Sequence, residues 1–209
     1  MRIISTADLH GKQYRLNQFL EAIEEFSPDV AIVCGDITHL GPGELAKVML
    51  DQIPIDTLAI PGNMDTREVL EYIEKSKAKN IHLRSVTIEG HKFVGIGDIG
   101  VAPLHLGRKL SEEEVEKEIG EEIDSGTILV THSPPHGVQD SVFFGMHAGS
   151  KLIRKVIDKH RPRLNLCGHI HEDPGFSKLG ETIVVNCSVG RDGRGALIDL
   201  NGEISVKMI

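Results

Sequence analysis

Val30-Ala31-Ile32-Val33-Cys34-Gly35-Asp36 is five apolar residues in a row, then a glycine, then a carboxylate. So short and continuous an apolar run fits a strand buried on both faces, as in the parallel sheets of α/β proteins. Upstream of it, Leu16, Phe19, Leu20 and Ile23 recur at helical spacing until Pro28 closes the helix. Before them, Arg2 to Ser5 reads as another buried strand that ends just ahead of Asp8-Leu9-His10. Downstream, a helix is expected near Glu44 to Gln52. A strand over Thr57 to Ile60 follows, running into Gly62-Asn63-Met64-Asp65, and Val69, Leu70 and Ile73 mark the next helix.

The alternation continues to the end of the chain. Ser85 to Ile88 and Lys92 to Ile96 form a strand pair turning at Gly90, residues 98–110 read as a loop, and an acidic helix runs from Ser111 to about Ile123 with its glutamates in solvent. Thr127 to Thr131 is a buried strand followed by His132 and a long loop. A helix over Lys151 to Lys159 then leads to the strand Arg163 to Cys167 and to Gly168-His169-Ile170-His171. The tail is strand-rich: Thr182 to Val185, Ala196 to Leu200, a tight turn at Asn201-Gly202, and Ile204 to Met208. Parallel crossovers first and antiparallel strands last imply a layered α/β sandwich, with residues 1–209 as a single domain.

Composition narrows the function. The chain has 209 residues and a formal charge of −8, from 23 basic and 31 acidic side chains, which disfavours nucleic acid as a partner. No apolar run approaches a membrane span, and Asp8 comes too early for a signal peptide, so a cytoplasmic location is expected. The cysteines Cys34, Cys167 and Cys187 are odd in number and lie far apart without a CxxC pair, which argues against a zinc ribbon or disulfide framework. Cys34 and Cys167 read as small buried hydrophobes.

Five strand ends therefore deliver Asp8, His10, Asp36, Asn63, His132, His169 and His171 to one edge of the sheets, where α/β proteins bind ligands. A mixed imidazole and carboxylate set suits Mn, Fe, Zn or Ni better than Ca or Mg. Seven ligands are too many for one ion and suit two divalent ions about 3.5–4 Å apart. Two such ions would also let an acidic protein attract a phosphate.

The order Asp8-x-His10, Gly35-Asp36, Gly62-Asn63, His132, Gly168-His169-x-His171 resembles the calcineurin-like metallophosphoesterase family from Asp8 to His171. The resemblance implies a four-layer αββα sandwich of two mixed β-sheets flanked by helices, and a binuclear centre, with manganese foremost among its ions. It also implies hydrolysis of a phosphoester by a hydroxide activated between two metals. By position, Asp8, His10, Asp36 and His171 hold one ion, and Asp36 bridges to a second held by Asn63, His132 and His169.

Two departures refine what the resemblance implies. The family's general-acid histidine is replaced by Met64, which cannot donate a proton. His136, on the loop after His132, is the substitute acid, against the plainer reading of a loop-turn residue; His39 is weighed the same way. Asp65 is expected to orient a neighbouring ligand. The arginine that protein phosphatases carry after the Gly-Asp motif is absent from Ile37-Thr38-His39-Leu40. A small phosphoester substrate, a diester in preference to a monoester, is therefore expected. The alternative is a non-catalytic metal-binding interaction module of the same fold. A homo-oligomer stays open, with His147, Phe143 and Phe144 lining either a substrate pocket or a subunit contact. His82, His91, His105 and His160 are expected at the surface.

Overall fold

The computed structural model describes residues 1–98, 110–190 and 193–209. One six-stranded sheet contains β1 (Arg2–Thr6), β2 (Val30–Val33), β3 (Thr57–Ala59), β4 (Lys79–Asn80), β11 (Ala196–Asp199) and β12 (Ser205–Met208), in the order β12-β11-β1-β2-β3-β4. The second contains β5 (Ser85–Ile88), β6 (His91–Ile96), β7 (Ile128–Thr131), β8 (Leu164–Cys167), β9 (Gly175–Leu179) and β10 (Thr182–Asn186), in the order β5-β6-β7-β8-β10-β9. Both are mixed: β1 to β4 are parallel, as are β6, β7, β8 and β10, with antiparallel strands at the margins.

The period of two residues along each strand explains the layering. Ile3, Val30, Ile32, Phe93, Ile128 and Val130 pack between the two sheets. Their neighbours Ile4, Ala31 and Val33 face the helices α1 (Gln13–Phe26), α2 (Gly43–Asp51) and α3 (Arg67–Glu74). Val94, Ile96 and Leu129 face α4 (Glu112–Ile119) and α5 (Lys151–His160). Strands covered on both sides have no polar face to present, hence the unbroken apolar runs. The result is the expected sandwich of two mixed sheets between helical layers.

Local signals place the ends. Ser27 takes a left-handed conformation (φ 47°) and donates its N–H to Ile23 O, closing α1 before Pro28. Ser111 and Glu114 form a capping box on α4, and Ser150 caps α5. Glu89 and Gly90, both at positive φ, turn the β5–β6 hairpin. Two strands escape sequence reading: β4 is only two residues long, and β9 is an edge strand of mostly exposed residues. The loop expected over 98–110 and the surface position expected for His105 fall almost wholly outside the described residues. His82 and His160 are not on the surface as expected: the His82 ring accepts from Gly97 N–H, and His160 Nε2 pairs with Glu116 at 2.8 Å.

Candidate metal centre

The carboxyl ends of β1, β2, β3, β7 and β8 bring all seven expected side chains to one crevice. Asp8, His10 and His171 place ligand atoms within 4.8 Å of one another, and so do Asp8, Asp36 and His132. Asp36 faces both groups, with Oδ2 3.9 Å from His10 Nδ1 and Oδ1 3.5 Å from His132 Nε2. Asn63 Oδ1 is 2.8 Å from His132 Nε2. The His169 ring stands edge-on to that of His132, with centroids 5.0 Å apart.

The backbone is bent at the ligands themselves. Asp8, His10, Asp36 and His169 all occupy the left-handed region, at φ 65°, 50°, 50° and 70°. Asp and His are among the few non-glycine residues that accept it readily. The glycines beside them serve two ends. Gly35 (φ 91°) makes a sharp reversal, whereas Gly62 and Gly168 provide room: a Cβ on Gly62 would stand 2.2 Å from Asp36 Oδ1, and one on Gly168 2.2 Å from the Ala7 Cβ.

Partners behind the crevice hold these side chains in place. His132 Nδ1 donates to Cys34 O at 2.8 Å, which directs Nε2 into the crevice. The buried Asp65 carboxylate accepts from Gly62, Ile37 and Thr38 N–H and from the Thr38 hydroxyl, tying the loop after β2 to the loop after β3. Removing it should weaken metal binding about 10- to 100-fold. Titration of Asp65→Ala with Mn checks this, and unchanged affinity would show that the loops keep their ligands without it. Met64, half-buried, donates its backbone N–H to Asp36 Oδ1 at 2.7 Å. His39 is exposed, its ring against that of His10. His136 Nδ1 faces the buried Asp140 at 3.4 Å, as does His147 Nδ1 at 2.7 Å, and Asp140 also accepts from Gly137 and Gly149 N–H.

Three groups go unseen in the sequence. Arg15 is buried, and its guanidinium donates to the carbonyl oxygens of Asp8 and Gly190, bracing the turn that carries Asp8 and His10. Asp98, just past β6, accepts from Ser133 Oγ at 2.7 Å. Lys151 lines the same cleft as Asn63 and His169.

Burial, opposing and like charges set the protonation states. Burial pushes His10 and His169 down to about 4, which leaves both neutral with a free lone pair. Burial likewise lifts Asp36 to about 7, with Asp8 and Asp65 adding to it against the pull of His132. Burial opposes the charging of His132, but Asp36, Asp8 and Asp98 outweigh it and raise this imidazole to about 9. The Asp8 carboxyl lies below its ordinary value: burial works against that, and the His171 imidazole, 3.4 Å away, and the His132 charge prevail.

The donor set fits divalent transition ions on evidence of its own. Asp8 Oδ1 is enclosed and has no hydrogen-bond partner among the described residues, an arrangement that a cation relieves. His10 Nε2 and His171 Nε2 face each other at 3.3 Å, as two nitrogens converging on one ion do. Since only the deprotonated imidazole binds a metal, His132 would have to release its proton to serve as a ligand. Affinity for Mn should therefore rise close to tenfold per pH unit between about 7 and 9, and more steeply below about 7, where Asp36 must also lose a proton, with proton release visible in weakly buffered solution. Affinity independent of pH there would place His132 outside the coordination.

An α/β sandwich whose strand ends gather imidazoles and carboxylates in one crevice is the framework of a metallohydrolase. The chain belongs to the calcineurin-like phosphoesterase family, whose model matches residues 1–173. It is 36% identical over 197 residues to the uncharacterized protein MJ1162 of Methanocaldococcus jannaschii, covering 90% of this chain and 88% of that one. It is 25% identical over 176 residues to a probable cyclic nucleotide phosphodiesterase of Vesicomyosocius okutanii, covering 81% and 73% respectively. TT1561 of Thermus thermophilus shares the fold, with a TM-score of 0.73 and 19% identity across 99% of this chain and 98% of that one.

Proposed function

We propose that this protein hydrolyses phosphodiesters of small molecules with the help of two divalent ions, manganese foremost, and that residues 1–209 act as one cytoplasmic domain. The observation that carries the reading is Asp36, whose two oxygens face His10 and His132 and so link two ligand groups. Asp8, His10, Asp36 and His171 would hold one ion; Asp36, Asn63, His132 and His169 would hold the other. When bound, such ions supply Lewis acidity and a nucleophile at neutral pH.

The chain's own residues do the rest. Cys34 O and Asp65 keep ligands aimed, and Arg15 braces the Asp8 turn from behind without reaching the substrate. No arginine stands among the four residues after Asp36, which suits the single charge of a diester better than the double charge of a monoester. Met64 offers no proton to the leaving group. His136 is proposed as the substitute acid, its ring oriented by Asp140.

Metal analysis together with a diester and monoester panel on one preparation tests this. Chelation should abolish hydrolysis, and Mn should restore it more readily than Mg, because imidazole favours the softer ion. A folded preparation that takes up no divalent metal sinks the proposal. Metal uptake without hydrolysis of any ester would favour an interaction module instead.

A further inference from the structure

Two clefts leave the metal centre from different ligands and share no lining residue among those described. One, of about 530 Å³, starts at Asn63 and His169 and passes Asp98, Ser133 and Lys151. The other, of about 650 Å³, starts at His171 and is lined by Phe143, Gly190, Gly193 and Met208. We propose that the two clefts receive the two arms of an open-chain, unsymmetrical phosphodiester, a planar aromatic arm beside Phe143 and an uncharged hydroxyl-bearing arm beside Lys151. This rests on the phosphodiesterase reading of the same site and names its substrate class.

The number of clefts speaks first. Phosphorus in an open-chain diester bears two separate substituents, which need two directions of exit. A monoester has one substituent, and a cyclic diester joins both ester oxygens in one group, so either would leave a cleft empty.

The chemistry of each cleft assigns its arm. Phe143 sits at the tip of a short hairpin closed by the Ser141–His147 bridge, with 69% of its surface exposed. The hairpin is pinned from beneath by Asp140, so the ring is exposed on a held support. Gly190 and Gly193, on the same cleft, present bare backbone, so a flat ring can lie close to them and stack on Phe143. The other cleft offers the Lys151 ammonium, the Ser133 hydroxyl and the Asp98 carboxylate, a donor and acceptor set for hydroxyl groups. Lys151 has no partner among the described residues, and Asp98 repels a second anionic group at that end.

Three non-hydrolysable phosphonates, the analogues of phenyl glyceryl, phenyl methyl and methyl glyceryl phosphate, test the assignment by calorimetry on the manganese-loaded protein. The phenyl glyceryl compound should bind most tightly. Phe143→Ala should weaken the two phenyl compounds about fivefold and spare methyl glyceryl. Lys151→Gln should weaken the two glyceryl compounds by about the same factor and spare phenyl methyl. Both side chains are exposed, so neither change threatens the fold. The inference is overturned if none of the three binds, if the variants shift all three alike or not at all, or if a cyclic diester or phenyl phosphate binds as tightly as the phenyl glyceryl compound. Hydrolysis of bis(p-nitrophenyl) phosphate, measured alongside, separates the two levels. Arm-specific binding without hydrolysis removes the phosphodiesterase reading alone, and hydrolysis without arm-specific binding removes this inference alone.

Discussion

Asp36→Asn should empty both ligand groups together and lower hydrolysis by at least about 100-fold, while the metal-free protein keeps or gains thermal stability. The two halves of this result have one cause. In the metal-free protein burial lifts the Asp36 carboxyl to about 7, so above that pH its charge is held against its preference. A carboxyl raised on folding adds stability below its unfolded value, and that contribution is lost as pH rises through about 7. Asn removes the charge and can still accept from Met64 N–H. Asp8→Asn should behave oppositely. Asp8 is held below its ordinary value, so it stabilises the fold above its unfolded value and is lost only in strong acid. Its replacement should therefore lower the Tm of the metal-free protein at pH 8, where Asp36→Asn does not. Elemental analysis and melting curves with chelator check both, and equal destabilisation by the two variants would refute the charge assignment.

Met64→His should accelerate diesters with alkyl leaving groups by about 10²–10⁴-fold and activated aryl diesters far less. A basic alkoxide leaves only with a proton, whereas an aryl oxide departs without one. In the native protein the Met64 side chain gives none, and its backbone is committed at both ends, N–H to Asp36 and carbonyl to Leu40 N–H. That anchoring keeps position 64 in register, so a histidine side chain there would enter a loop already held. His136→Ala should slow alkyl substrates selectively if that ring is the stand-in donor. Rates that do not depend on the leaving group in the native protein, and stay so in both variants, would show that no acid is needed.

The candidate metal ligands are legible because each follows an apolar strand without an intervening residue pattern to blur it. The central strands of both sheets are buried on two faces, so they announce themselves as continuous runs, and the first polar residues after them must lie at the edge. Asp98 shows that the same signal can be overlooked: Gly97-Asp98 follows β6 as Gly35-Asp36 follows β2, but it merges with the adjoining loop. Arg15 carries no signal at all. It occupies an ordinary helical position, and its burial arises only when Asp8 and Gly190, 175 residues further along, close around it. The Asp140 cluster is similarly hidden, since a loop that folds around one carboxylate has no period to read. β4 and β9 lack the length or the apolar face that marks a strand.

The left-handed backbone at Asp8, His10, Asp36 and His169 has a consequence for how this protein tolerates change. At these four positions coordination chemistry and chain geometry select the same short list of residues, because Asp, Asn and His both bind metals and accept φ near 60°. In a saturation library scored for cellular abundance, glycine should outrank alanine there, since it relieves the conformational cost of about 1–3 kcal/mol. At Asn63, His132 and His171, which have ordinary backbones, alanine should outrank glycine. Scored for activity, both substitutions should fail at all seven. Four candidate ligand positions would thus have mutational neighbours that survive as folded but inert proteins, and inactive descendants of this chain should carry glycine at those sites.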